Sequence, residues 1–189
     1  MPPAPHRFPR PTSLAHQLVS GVVREGDTVI DATIGNGHDT LFLANLVGTS
    51  GKVIGFDIQE SALKQTRERL GSCAGIDLHW DSHGNMENYL DGEVNAAMFN
   101  LGYLPGGDHE IITVPESTLS GLKTAAAYLA INGVITIVAY TGHPGGSEEA
   151  TRVDQWTKAL CSDDFSVIRY EFSNRKKKAP FLIGIQRLA

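Results

Sequence analysis

Residues 28–57 read TVIDATIGNGHDTLFLANLVGTSGKVIGFD. The stretch opens on a short apolar strand, Thr28 to Asp31, passes through a glycine-bearing turn into a helix from Asp39 to Leu46, and closes on a second apolar strand, Lys52 to Asp57. Strand, crossover helix and strand in so short a span form the building unit of a parallel sheet. The same alternation extends on both sides. A first helix from Thr12 to Arg24 is expected to bury Leu14, Leu18, Val22 and Val23, with Thr12 or Ser13 as its cap. Downstream come a helix from Glu60 to Leu70, a strand from Ile76 to Trp80, a short helix near Met86 to Leu90 and a strand from Ala96 to Asn100. A helix from Pro115 to Ala130, ended by Asn132-Gly133, leads to an almost wholly apolar strand from Val134 to Tyr140. The helix Ser147 to Leu160 precedes two strands, Phe165 to Phe172 and Phe181 to Gln186, with no helix between them, so these pair antiparallel at one edge. The pattern predicts one α/β domain over residues 11–189: about seven strands, mostly parallel, with an antiparallel edge strand and helices on both faces. Residues 1–10 hold four prolines and read as an irregular arm.

Composition agrees with a globular chain: 41% hydrophobic and 20% charged over 189 residues. No run approaches the roughly 18 apolar residues of a membrane-spanning helix, and the N-terminus lacks the apolar core of a secretory signal. The two cysteines, Cys73 and Cys161, are far apart, which excludes a disulfide framework and a cysteine zinc site. His38 and His83 show no zinc-ligand spacing, so no metal is expected. These features point to a cytoplasmic protein with reduced thiols that does not enter membranes. The net charge of −5 argues against a generic nucleic-acid binder. Yet Arg175-Lys176-Lys177-Lys178 concentrates positive charge before the last strand, either as a phosphate contact extended by Arg7 and Arg10 or as a solvated turn guarding an edge.

Ligands of open parallel sheets bind beyond the carboxyl ends of the strands. After the first strand, Gly35 and Gly37 allow a tight turn, and Asp57 ends the next strand where a carboxylate accepts ribose hydroxyls. A dinucleotide site requires a third glycine where Thr40 stands, and it requires a phosphate beside Asp31 and Asp39, which would repel it. S-adenosylmethionine, phosphate-free and cationic, suits these acids better. The bland alternative is a tight turn with a capped helix. After the fourth strand, Asn100 offers a carboxamide oxygen, with the adjacent backbone carbonyl, to the N–H groups of an amine, and Tyr103 offers a ring to stack on a base. The competing reading there is a glycine-rich connection with Tyr103 in the core. His143, after the fifth strand, reads either as a substrate contact or as an ordinary loop histidine.

The segments VIDATIGNGHDTLFLA (29–44), GFDIQ (55–59), FNLGYLPGGDH (99–109), VAYTGHPGGSEE (138–149) and 174–181 together resemble one family. It is the compact class I methyltransferase family long called putative rRNA methylases, and the likeness spans nearly the whole chain. It implies a Rossmann-like methyltransferase fold. The family is associated with tRNA wobble uridine 34, where the amine of 5-aminomethyl-2-thiouridine becomes 5-methylaminomethyl-2-thiouridine. The resemblance implies that Asp31, Thr33, Gly35, Asn36, Gly37, Asp39, Thr40, Asp57, Ile58 and Gln59 contact S-adenosylmethionine, with Asp81, Ser82 and His83 near its adenine and Asn100 near its reactive end. Asn100, Leu101 and Tyr103 would bind the reacting amine. Leu101 and Gly102 depart from the Asn-Pro-Pro-Tyr form of amino methyltransferases. Substrate contacts are expected from Gly102, Tyr103, Pro105, Gly106, His143, Arg175 and Lys176. The expected partner is the anticodon region of tRNA, with a homodimer as the way a small enzyme gains surface. Competing readings are an rRNA or small-amine N-methyltransferase, an NAD-dependent oxidoreductase, and a non-catalytic RNA-binding module.

Overall fold

The computed structural model describes residues 8–102, 112–142, 144–175 and 179–189. In chain order it comprises α1 (Pro11–Val22), β1 (Thr28–Asp31), α2 (His38–Val47), β2 (Lys52–Asp57), α3 (Glu60–Leu70), β3 (Ile76–Trp80), a 3-10 helix (His83–Tyr89), β4 (Val94–Leu101), α4 (Pro115–Tyr128), β5 (Leu129–Ala139), α5 (Gly146–Lys158), β6 (Phe165–Tyr170) and β7 (Phe181–Arg187). The strands form a single sheet in the order β3-β2-β1-β4-β5-β7-β6. β1 to β5 run parallel, and β7 lies antiparallel between β5 and β6. The last two strands do pair antiparallel, but the later one is internal: residues Phe181 to Ile185 are buried, whereas β6 is the edge and exposes Val167 and Ile168.

Consecutive strand residues serve opposite faces, so the sheet divides two cores. Ala97, Phe99 and Leu101 of β4 join Leu122 and Ala125 of α4 and Val153 of α5 on one face. Ala96 and Met98 join Ala15 and Val19 of α1 and Leu43 of α2 on the other. Burial on both faces explains why β5 and β7 read as continuous apolar runs.

Three local expectations need correction. Neither Thr12 nor Ser13 caps α1; Arg10 occupies the cap without a side-chain bond and Pro11 opens the first turn, where a missing N–H is tolerated. Of the four residues expected to face the core, Val23 is buried and Leu14, Leu18 and Val22 pack partly buried against it, but the fully buried line of α1 runs through Ala15 and Val19. Asn132-Gly133 does not end α4. The helix stops at Tyr128, and Leu129 already pairs with Val94 in β5. Asn132 takes φ +67 inside a bulge where the β4–β5 register shifts, a conformation that Asn tolerates. Among the described residues, no helix is long and apolar enough to cross a membrane.

Candidate active site

β1 sits where the strand order reverses, with β2 on one side and β4 on the other, and a cavity of about 710 Å³ opens at the carboxyl ends of these strands. The turn after β1 forms its floor. Gly37 precedes α2 at φ +74, and a Cβ there would lie 2.5 Å from Thr66 Oγ1 of α3, so only glycine closes this turn against its neighbour. Asp31 ends β1 fully buried, accepting hydrogen bonds from Thr40 Oγ1 (2.6 Å) and the Thr33 amide (3.2 Å). Burial, reinforced by the charge of Asp39, pushes its carboxyl up to about 7 against those two bonds. Asp57 ends β2, where the amides of Gly35 and Gln59 donate to its two oxygens, each at 2.9 Å. Burial outweighs these bonds and raises its pKa above the ordinary carboxylate value.

Asp39, in the first turn of α2, is shared by two distant side chains. His16 Nε2 of α1 lies 2.6 Å from Oδ1, and Asn100 Nδ2 at the end of β4 donates to Oδ2. The imidazole of His16 stacks on Phe42 of α2, centroids 3.9 Å apart. The backbone amide of Asn100 donates to Thr33 Oγ1 (2.8 Å), while Asn100 Oδ1 is buried without a hydrogen-bond partner. Tyr140 forms another wall, its phenol pKa raised by burial and then by Asp39.

On the far side, Asp81 receives bonds from the Ser82 amide, Asn85 Nδ2 and the Tyr89 hydroxyl at 2.7–2.9 Å. The Asn85 bond is the main reason its pKa lies below the ordinary value. His83 is pressed against Gly121 of α4, and burial pushes it down to about 4, so its ring is neutral at pH 7. Behind it, buried Glu149 of α5 accepts from Thr118 Oγ1 (2.6 Å) and Thr113 Oγ1 (2.7 Å). Thr113 also donates its amide to the Gly102 carbonyl (2.9 Å).

Of the residues singled out from sequence, Thr33, Gly35, Asn36, Asp39, Asp57, Ile58, Gln59, Asp81, Ser82, His83, Asn100, Leu101 and Gly102 line the cavity. Asp31, Gly37 and Thr40 do not. Asp31 is buried at the end of β1 with Thr40 bonded to it, and Gly37 closes the turn on its Thr66 side, so they shape the floor without lining the cavity. Arg175 lines a separate groove with Phe8, Arg10, Ser13, Tyr170 and Phe172. Tyr103, Pro105, Gly106, His143 and Lys176 lie outside the described residues. Sequence reasoning missed His16 and Tyr140. Tyr140 follows the apolar β5 and carries the usual strand-end signal, but His16 stands 23 residues from Asp39 on a helix whose spacing marks only its apolar line.

The family model described as "Putative rRNA methylase" matches residues 53–186. A chloroplastic tRNA (mnm(5)s(2)U34)-methyltransferase of Arabidopsis thaliana is 38% identical, over 91% of this chain and 67% of that protein. A putative rRNA-methylase from Clostridium thermocellum superposes with a TM-score of 0.94 at 42% identity, covering 97% of this chain and all of that one. A putative methyltransferase from Streptococcus mutans, solved in complex with SAH, superposes with a TM-score of 0.89 at 37% identity, over 96% of this chain and all of that one.

Proposed function

Because the chain belongs to the Putative rRNA methylase family and is an S-adenosylmethionine-dependent methyltransferase, we propose that it methylates the amine of 5-aminomethyl-2-thiouridine at tRNA wobble position 34. The product is 5-methylaminomethyl-2-thiouridine, in keeping with the name of the Arabidopsis relative.

The observation that carries this reading is Asn100 in the cavity wall, held by Asp39 at its side-chain nitrogen and by Thr33 at its backbone amide, with no hydrogen-bond partner on its carboxamide oxygen among the described residues. A buried acceptor without a donor is unfavourable, and an amine N–H supplies the missing donor. The residues fit the cofactor. Asp57, Asp39 and Asp81 line the cavity and make it acidic, which suits a cation and opposes a pyrophosphate. Thr40, where a dinucleotide site has its third glycine, is committed to Asp31, which weighs against the nicotinamide alternative. Asp57 would take the ribose hydroxyls, Asp81 to His83 the adenine, and the turn after β1 the methionyl part. S-adenosylmethionine supplies, when bound, a sulfonium methyl; the N–C bond forms as the C–S bond breaks, and the new ammonium sheds one proton to solvent. Asn100 accepts an N–H of the neutral amine and so turns the nitrogen lone pair toward the methyl group. Leu101 contributes its backbone carbonyl alongside. Cys73 and Cys161 are exposed and absent from the cavity wall, so the protein offers no thiol for attack at a pyrimidine ring and the substrate provides the nucleophile.

The second groove supports an RNA substrate. Among the described residues neither Arg10 nor Arg175 is ion-paired, Glu171 of the groove is paired with Arg169 at 2.9 Å, and the Arg175 guanidinium sits 5.0 Å over the Phe172 ring. Phe8 is 79% exposed, and Tyr170 meets Phe172 edge to face. Cations interleaved with rings suit unpaired nucleotides. Thr12 of the cavity and Ser13 of the groove are consecutive residues of α1.

The test is methylation of tRNA carrying 5-aminomethyl-2-thiouridine with labelled cofactor, followed by nucleoside mass spectrometry, with rRNA and small amines as competitors. Label in the wobble nucleoside is expected, and Asn100→Ala should abolish turnover while still binding cofactor. Label only in rRNA or in a small amine would replace the substrate assignment with that one.

A further inference from the structure

We infer that Asp39 and His16 are positioning residues that set the orientation of the Asn100 carboxamide, so that its oxygen and not its nitrogen faces the reacting amine. The inference rests on the amine-acceptor reading of Asn100 above. A primary amide has nearly the same shape in both orientations, but only one offers an acceptor; the reverse places an NH₂ against the substrate N–H groups. Asn100 needs a neighbour that distinguishes its two ends. An ionised carboxylate only accepts hydrogen bonds, so Asp39 Oδ2 selects the Asn100 nitrogen. The oxygen is thereby turned away from Asp39 and is left buried without a partner.

Asp39 must itself be held. Its second oxygen lies 2.6 Å from His16 Nε2, which carries the donated proton. His16 is in turn clamped face to face on Phe42, with an interplanar angle of 5°. The Asn100 backbone is fixed separately through Thr33 Oγ1. Three elements, α1, α2 and β4, thus meet at one amide. Both Asp39 oxygens are engaged within the protein, one by His16 and one by Asn100, so the carboxylate is fixed in place from two sides.

Asp39→Asn keeps the size but removes the discrimination, because the introduced carboxamide can accept from Asn100 Nδ2 or donate to Asn100 Oδ1. The expected result is a kcat about 100-fold lower at saturating S-adenosylmethionine, where any weakening of cofactor binding by the lost charge no longer limits the rate. His16→Ala should lose about tenfold in kcat, and His16→Gln, which retains an N–H donor at the same reach, should recover most of it. A readout independent of turnover is the Asn100 side-chain amide in a ¹⁵N spectrum, assigned through Asn100→Ala. Its NH₂ should exchange slowly in wild type and fast in Asp39→Asn. A cofactor Kd raised tenfold or more by Asp39→Asn with kcat retained would make Asp39 a cofactor ligand and overturn the inference, as would an Asn100 amide insensitive to that substitution. If wild type methylates no amine, the proposed function fails, while the spectrum still decides the orientation.

Discussion

Replacing Asp31 with Asn tests whether the floor of the cavity is built around a strained buried acid. Asp31 is fully buried, and its pKa rises from 3.8 to about 7 chiefly through burial and then through Asp39. The unfolded chain releases this proton near pH 4, whereas the folded chain keeps it until about pH 7. Between those values the native state binds one proton more than the unfolded state, so stability falls as pH rises. About three pH units at about 1.4 kcal/mol each amount to a loss of about 4 kcal/mol, complete above pH 7. Asp31→Asn has no proton to lose. It keeps an acceptor for the Thr33 amide, and the Thr40 hydroxyl, which now donates to Asp31, can rotate to accept instead. The variant should therefore match wild type or fall slightly below it at pH 5 and be more stable by several kcal/mol at pH 8. Urea unfolding at half-unit steps from pH 4.5 to 8.5 measures this directly. The same acid ties the floor to the cofactor. A cation bound above it favours the ionised form, so at pH 6 wild type should release more protons per S-adenosylmethionine bound than Asp31→Asn, by close to one. Calorimetry in buffers of different ionisation enthalpy reads that number. Parallel stability profiles for the two proteins across this pH range would refute the reasoning.

Gly37→Ala should destabilise the fold by about 2–5 kcal/mol, from the left-handed φ of +74 and the Cβ contact of 2.5 Å with Thr66, and should weaken cofactor binding through the displaced turn; thermal unfolding and calorimetry check both. Arg10→Ala with Arg175→Ala should raise the KM for tRNA and flatten the slope of log K against log salt by about 1.4, the amount for two lost contacts to a single strand, with cofactor Kd unchanged; an unaltered slope in filter binding would remove the groove from RNA recognition. Cys73→Ser with Cys161→Ser should keep turnover within about twofold, since both thiols are exposed and away from the cavity; loss of activity in the same nucleoside assay would point to a protein nucleophile.

Periodicity made the scaffold legible. β2 and β3 occupy the residues that their apolar runs mark, and Asp57 ends β2 in the wall of the cavity. The place of Asn100 in the cavity wall was legible as well, because it stands next to the last residue of an apolar strand in a parallel sheet. Asn132-Gly133 misled because turn residues signal a turn without saying whether a helix or a strand contains it.

By itself the sequence determined the strand–helix alternation, the parallel sheet with its antiparallel end, and the acids and asparagine at the strand ends. Each of these follows from a residue's own burial preference or backbone freedom, which is local information. Tertiary structure alone decided that β7 enters between β5 and β6, that Asp31 lies under the cavity floor rather than in its wall, and that His16 reaches Asp39 and, through it, Asn100. Those outcomes depend on which distant elements pack together: α1 lies on the same sheet face as α2, and the stacking of His16 on Phe42 is what brings an otherwise unremarked histidine to the site.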